Sequence, residues 1–171
     1  DTGGFFEPHG TGRFALETDR SALVELVLGL GYDALAFAAK DLQGARTPVA
    51  LLAAQLRAAG LPFIASNLRC EASAMQLCDA LDDASDPLRI HEVAGEKVAF
   101  LAFIDPAVLP HVAEENRVGV ALDPLVDAFQ RRVAEARALG ATLIVASVDN
   151  GSSSRAIGAV MKLLVAVTMA H

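Results

Sequence analysis

Apolar runs with helical spacing alternate with short apolar runs of strand character along this chain, and that alternation restricts its possible folds more than any other feature. Asp19 to Leu30 reads as a helix: Thr18 or Asp19 caps it, Leu23, Val24, Leu26, Val27 and Leu30 form one apolar stripe, and Gly31 stops it. Asp33 to Ala38 follows as a buried strand. Thr47 caps a second helix with Pro48 at its first position, and this helix runs through Leu52 and Leu56 to Gly60. Pro62 to Ser66 is the next short strand. Residues 67 to 87 form a polar, acidic stretch with room for one short helix. Leu88 to Ala94 and Lys97 to Ile104 then read as a hairpin turning at Gly95-Glu96. Asp123-Pro124 opens a third helix with Val126, Phe129 and Val133 inward and Gly140 as its stop, and Thr142 to Ser147 is a further buried strand. Gly151 to Ser154 is a polar loop, with a last helix starting near Arg155.

Strands separated by helices imply an α/β fold with a mainly parallel sheet, and the hairpin adds an antiparallel part. Asp33–Ala38, Pro62–Ser66 and Thr142–Ser147 are expected to share one sheet. There is no internal repeat and no linker, so residues 1–171 are expected to form one domain. With 53% hydrophobic residues and a mean hydropathy of +0.41, the chain can bury a core without staples. Ala156 to Ala170 is apolar except for Gly158, Lys162 and Thr168, but a membrane span takes about 20 apolar residues. It reads instead as a buried helix running into a strand, and as the segment through which this apolar-rich chain meets a partner chain or fused domain.

A formal net charge of −7 makes nucleic acid a poor partner, since a phosphate backbone repels an acidic surface and the one basic pair is Arg131-Arg132. Cys70 and Cys78 are expected to be two isolated thiols; pairing them would imply an oxidising compartment. His9, His91, His111 and His171 have no spacing typical of a metal site. Asp105-Pro106 and Asp123-Pro124 read as turn and cap signals before they read as catalytic acids.

In open α/β sheets ligands sit beyond the carboxyl ends of the strands. Four places qualify: Asp1 to Gly4, Ala39 to Asp41, Asn67, and Val148 to Asn150. These segments resemble the calcineurin-like metallophosphoesterases of the 5′-nucleotidase branch. Gly31-Tyr32-Asp33-Ala34 through Ala38-Ala39-Lys40-Asp41 looks like G-Y-D-A-x-x-x-G-N-H-E. Asp1-Thr2-Gly3-Gly4 is similar to D-x-G-D, and Pro62 to Asn67 to the strand that ends in Asn. Leu88 to Ala102, with Gly95-Glu96-Lys97-Val98, resembles the family's hairpin. Gly140 to Val148 looks like G-A-D-x-x-I-x-x-S-H.

The resemblance implies a layered α/β/β/α sandwich, incomplete at one or both ends, with Asp1-Thr2-Gly3-Gly4 as a loop that should follow a strand. In active members a metal pair sits at the strand ends. Here the aligned positions are Gly4 for the bridging Asp, Ala39 and Lys40 for the ligand Asn and catalytic His, and Val148 for the ligand His. D-x-H would precede Asp1, and Met169-Ala170-His171 is at most a remnant of G-H-x-H. Glycine, alanine and valine have no side-chain lone pair, and a lysine ammonium repels a divalent cation. The expectation is therefore no catalytic residue, no metal and no cofactor: a non-catalytic scaffold or interaction domain, exported to the periplasm or outside the cell by resemblance. Two alternatives stand beside it. One is a hydrolase whose site is rebuilt around a divalent cation with Asp1, Asp41, Asp149 and Lys40. The other is a small-anion binding module at the same strand ends, with the Lys40 ammonium holding the anion; Asp1, Asp41, Asn67 and Asp149 are the possible residual site residues.

Overall fold

The computed structural model describes residues 20–43, 46–70 and 85–150. Asp1, Gly4, Cys78, the loop Gly151–Ser154 and the segment Ala156–Ala170 therefore lie outside the described residues. In chain order the elements are α1 Arg20–Gly29, β1 Leu35–Ala36, α2 Ala39–Gln43, α3 Arg46–Ala58, β2 Phe63–Ile64, β3 Leu68–Cys70, β4 Ser85–Asp86, β5 Arg89–Val93 and β6 Glu96–Ile104. A 3-10 turn Pro106–His111, α4 Glu114–Arg117, β7 Val120–Leu122, α5 Leu125–Ala138 and β8 Leu143–Asp149 follow. Among the described residues no helix is long and apolar enough to cross a membrane.

Two sheets stack between helices. The first runs β1-β2-β4, all parallel, and the second runs β5-β6-β8, with an antiparallel β5–β6 hairpin and β8 parallel to β6. β3 and β7 pair antiparallel at the side. The expected single sheet is thus corrected: β1 and β2 do pair, but β8 lies in the other sheet. Strand length explains the choice, because two-residue β1 and β2 offer little ladder, whereas nine-residue β6 gives β8 seven register pairs.

Three cores define the layers. Val27 of α1 and Leu52 and Leu56 of α3 pack on Leu35, Phe37 and Phe63 over the outer face of the first sheet, where Phe37 and Phe63 meet edge to face at 5.7 Å. Ala36 and Ile64 meet Ala102 and Phe100 between the sheets. Leu125, Phe129 and Val133 of α5 cover Leu101 and Phe103 on the outer face of the second. Each such fully buried Leu or Phe contributes about 1.5–3 kcal/mol. The order helix–sheet–sheet–helix is the expected α/β/β/α sandwich.

Details differ where local signals compete. The hairpin turns at Ala94-Gly95, one residue earlier than expected, with positive φ at both residues (53° and 87°), as a two-residue primed turn requires. α1 buries Val27 and half-buries Leu23 and Val24, while Leu26 and Leu30 stay exposed. α3 begins at Arg46, ahead of Thr47, leaving Pro48 in the first turn where its missing N–H is no loss. α5 turns Leu125 inward and leaves Val126 exposed, because it starts after Pro124, and the Asp123 side chain does not cap it. Its stop at Gly140 is as read: φ is +88°, and the Gly140 and Ala141 N–H groups donate to Arg137 and Ala136. Cys70 is disulfide-bonded, contrary to the isolated thiols expected, and Cys78 is the only other cysteine in the sequence.

The two sheets are joined through Ser66 and Asn67, just past β2. Ser66 N–H donates to Ala102 O at 2.7 Å, and its Oγ accepts from Ala102 N–H at 2.9 Å. Two residues along β6, Asn67 Nδ2 donates to Ile104 O at 2.7 Å and Oδ1 accepts from Ile104 N–H at 3.0 Å. Both side chains are fully buried. Asn67→Leu keeps the bulk but strands both backbone groups of Ile104, so denaturant unfolding is expected to show a loss of about 2–4 kcal/mol. A loss below about 0.5 kcal/mol would contradict the staple.

Candidate functional site

The strand-end positions of interest gather where β1 passes into α2, beside the ends of β6 and β8. α2 has five residues, and the first N–H groups of any helix lack partners within it. Two carboxylates serve them. Asp41, buried within α2, turns back so that Oδ2 accepts from Ala38 N–H at 2.8 Å, half of a capping box. Asp149, the last residue of β8, accepts from Ala39 N–H at 2.8 Å through its Oδ2. Register with β6 delivers Asp149 there: it lies opposite Ile104, and its carbonyl accepts from Asp105 N–H at 2.8 Å.

Alternation along β8 decides which residue faces α2. Ile144, Ala146 and Val148 pack into the α5 layer, while Val145 and Ser147 line the opposite face, the side on which Asp149 follows. Val148 therefore points away from Ala39, and Asp149 points toward it. Counting agrees: from Gly140, the ten-place pattern G-A-D-x-x-I-x-x-S-H ends on Asp149, one residue beyond Val148.

Ala39 is buried at the first position of α2, and Lys40 beside it is exposed. Asn67 does not project into the strand-end site; its amide is committed to Ile104 and, through Nδ2 at 3.2 Å, to Asp123 O. Asp1 and Gly4 lie outside the described residues. Asp105 caps the 3-10 turn, its Oδ1 accepting from Ala107 N–H at 3.0 Å. His91 lies 3.8 Å from exposed Asp33, away from α2.

A metal pair requires several side-chain lone pairs aimed at two points about 3.5–4 Å apart. Among the described residues the side chains at the strand ends do not fit it. Ala39 offers a methyl group and Lys40 a cation, and Asp41 and Asp149, which have suitable oxygens, each hold a backbone amide. Among the described residues no group of three or more His, Cys, Asp or Glu side chains is arranged to hold a metal ion.

Beside the site, Asp123 is a buried anchor that sequence reading took for a helix cap. Arg69 of β3 and Arg131 of α5 both reach its carboxylate. Burial pushes the Asp123 carboxyl up, but the Arg131 and Arg69 guanidiniums outweigh it and hold it below its ordinary value of 3.8. Arg132 donates to Ser66 O at 2.9 Å and pairs with Glu135, so the Arg131-Arg132 pair is engaged within the fold. A carboxylate that joins two arginines distant in sequence leaves no local sequence signal.

The same fold occurs in solved structures. A putative 5′-nucleotidase from Staphylococcus aureus, solved in complex with α-ketoglutarate, superposes with a TM-score of 0.70 at 12% identity, over 95% of this chain and 32% of its own. The sulfate thiohydrolase SoxB from Thermus thermophilus gives 0.66 at 23% identity, over 88% of this chain and 25% of its own. A 5′-nucleotidase precursor from the same organism gives 0.59 at 21%, over 79% and 25%. The fold is that of the 5′-nucleotidase-like metallophosphoesterases. This chain spans a quarter to a third of the lengths of those three proteins. No protein-family model matches it, and no curated protein matches it in sequence. In this metallophosphoesterase-type fold, α2 and β8 carry residues that bond to each other.

The depressed Asp123 carboxyl gives a signed expectation. Its stabilisation is fully present above the unfolded value of about 3.9 and is lost as pH falls through the lower folded value. Asp123→Asn should cost about 1–2 kcal/mol at neutral pH, with the half-exposed arginines limiting the effect. In urea unfolding the gap to wild type should narrow only below about pH 4. A gap that widens in acid would contradict the clamp.

Proposed function

We propose that this chain is a non-catalytic metallophosphoesterase-like domain that serves as a scaffold or interaction module. One observation carries the reading. Where the resembled pattern has a ligand asparagine and a catalytic histidine, this chain has Ala39 and Lys40, and the adjoining amides are closed by the chain's own Asp149 and Asp41. The cross-link replaces ligand geometry with an internal hydrogen bond. The Ala38 and Ala39 N–H groups already face carboxylates, so a small anion at these strand ends would rest on the exposed Lys40 instead.

A rebuilt hydrolase is the second reading, favoured by one feature: Asp41 and Asp149 are brought to adjacent amides, and both have oxygens suited to a hard cation. Asp1 and Lys40 would complete that site. An exported setting fits the Cys70 disulfide, which persists in oxidising compartments. A protein partner or fused domain fits the large apolar side chains left exposed on α1 and β8.

Metal analysis and turnover separate the two readings. Purified protein incubated with manganese, zinc or magnesium should retain no stoichiometric metal. It should hydrolyse nitrophenyl phosphate and nucleoside monophosphates no faster than buffer. Two equivalents of bound metal, with turnover abolished by Asp149→Ala or Asp41→Ala, would establish the rebuilt site instead.

A further inference from the structure

We propose that the cleft between the two sheets binds a small aromatic acid, with its ring on Phe100 and its carboxylate on Arg89. The cleft has a volume of about 320 Å³, and every residue that lines it is among those described. Ligand cavities run from about 300 to 1,000 Å³, so this one admits a single small molecule. Its floor is one cross-strand row of the second sheet: Arg89 of β5 lies opposite Phe100 of β6, and Phe100 opposite Val145 of β8. Its back is closed where Ala36 and Ile64 meet Ala102. The loop before β1 lines it as well, through Tyr32 and Asp33. The cleft is set back from α2, since Phe100 and Val145 stand four residues before Ile104 and Asp149 along β6 and β8.

The residue pattern of β5 singles this cleft out. The inner faces of a sandwich are ordinarily apolar. On its outer face β5 packs Ile90 with Ala99 and Ala136 under α5, but it turns Arg89 and His91 to the inner face, beside Phe100 and Val145. The fold makes little use of either side chain. Arg89 approaches Asp86 only to 3.7 Å and His91 approaches Asp33 only to 3.8 Å, both longer than a hydrogen bond. An apolar floor bounded by a planar cation is complementary to an aromatic carboxylate. The ring packs on Phe100 and Tyr32, and the guanidinium fork matches the two carboxylate oxygens. The His91 imidazole and the Ser147 hydroxyl, which also line the cleft, add further donors. Asp33 at the mouth has a side chain 70% exposed, so water weakens its repulsion of an anion.

The inference is independent of the strand-end reading, because the cleft shares no residue with α2. Isothermal titration calorimetry of the whole chain with naphthoate should give a Kd of about 10–100 µM. Naphthamide, the same ring without the charge, should bind at least about tenfold more weakly. Arg89→Gln should weaken naphthoate binding at least about tenfold and Phe100→Leu at least about threefold, with the circular dichroism spectra unchanged. Lys97→Gln removes the same charge from the opposite face of the hairpin, where Lys97 reaches Leu139 O, and should leave the Kd within about twofold. Amide resonances of Tyr32, Phe100 and Val145 should move with naphthoate while those of Ala38 and Ala39 stay, a reading on wild type that stands should either cleft variant fail to fold. No saturable binding up to about 1 mM, equal binding of acid and amide, or resonance shifts confined to other parts of the chain overturns the proposal. An affinity that Lys97→Gln reduces as much as Arg89→Gln overturns it as well, since it would mark a response to net charge alone.

Discussion

Two consecutive buried residues, Ser66 and Asn67, hold the two sheets in register. Each pairs with both backbone groups of one β6 residue, Ser66 with Ala102 and Asn67 with Ile104. The side chains thus act as extra peptide units, extending the short first sheet onto a strand it does not otherwise ladder with. The same two residues anchor α5 and the β3–β7 pair, because Arg132 donates to Ser66 O and Asp123 N–H donates to Asn67 O. A first sheet built from two-residue strands has little hydrogen bonding of its own. Its place in the sandwich depends on this bracket and on the apolar contact of Ala36 and Ile64 with Ala102.

The geometry of the strand ends follows from the bracket. With β6 fixed at Ile104, parallel register carries β8 to Asp149, and the side chain arrives at the first amide of α2. A short helix needs acceptors for its leading N–H groups, and a charged oxygen meets that need better than a neutral one. With Ala39 and Lys40 opening α2, the Asp149 carboxylate makes a contact there that contributes to the fold.

The helices, the buried strands β1 and β2 and the layered class were legible because each rests on local spacing, whereas Thr142–Ser147, read as buried, forms a strand with Leu143 and Val145 exposed and no buried residue. Phe129 and Val133 lie on one helix face, and Gly31 and Gly140 adopt the positive φ their stop positions call for. Assigning β8 to its sheet was not legible, since spacing does not reveal that β6 offers a longer ladder than β1. The turn at Ala94 was missed because alanine seldom takes positive φ, and only the hairpin register demands it. At the site, Ala39, Lys40 and Asp41 were found from their place after a buried strand. Asp149 was singled out as a carboxylate, but its facing direction required the alternation fixed by β6. Asn67 was singled out for its place at a strand end, and its task appears only from Ile104, 37 residues away. The Asp123 clamp had no signal in sequence, because Arg69 and Arg131 lie on separate elements, β3 and α5, far apart along the chain.

The central claim is that Asp149 closes the strand-end site upon Ala39, leaving no place for a metal pair. Nuclear magnetic resonance of the Ala38 and Ala39 amide protons tests it most directly. Both should resonate downfield as donors to carboxylates, remain unmoved by stoichiometric zinc or magnesium, and, for Ala39 alone, shift upfield in Asp149→Asn. Saturable movement of both amides at two equivalents of metal would contradict the account.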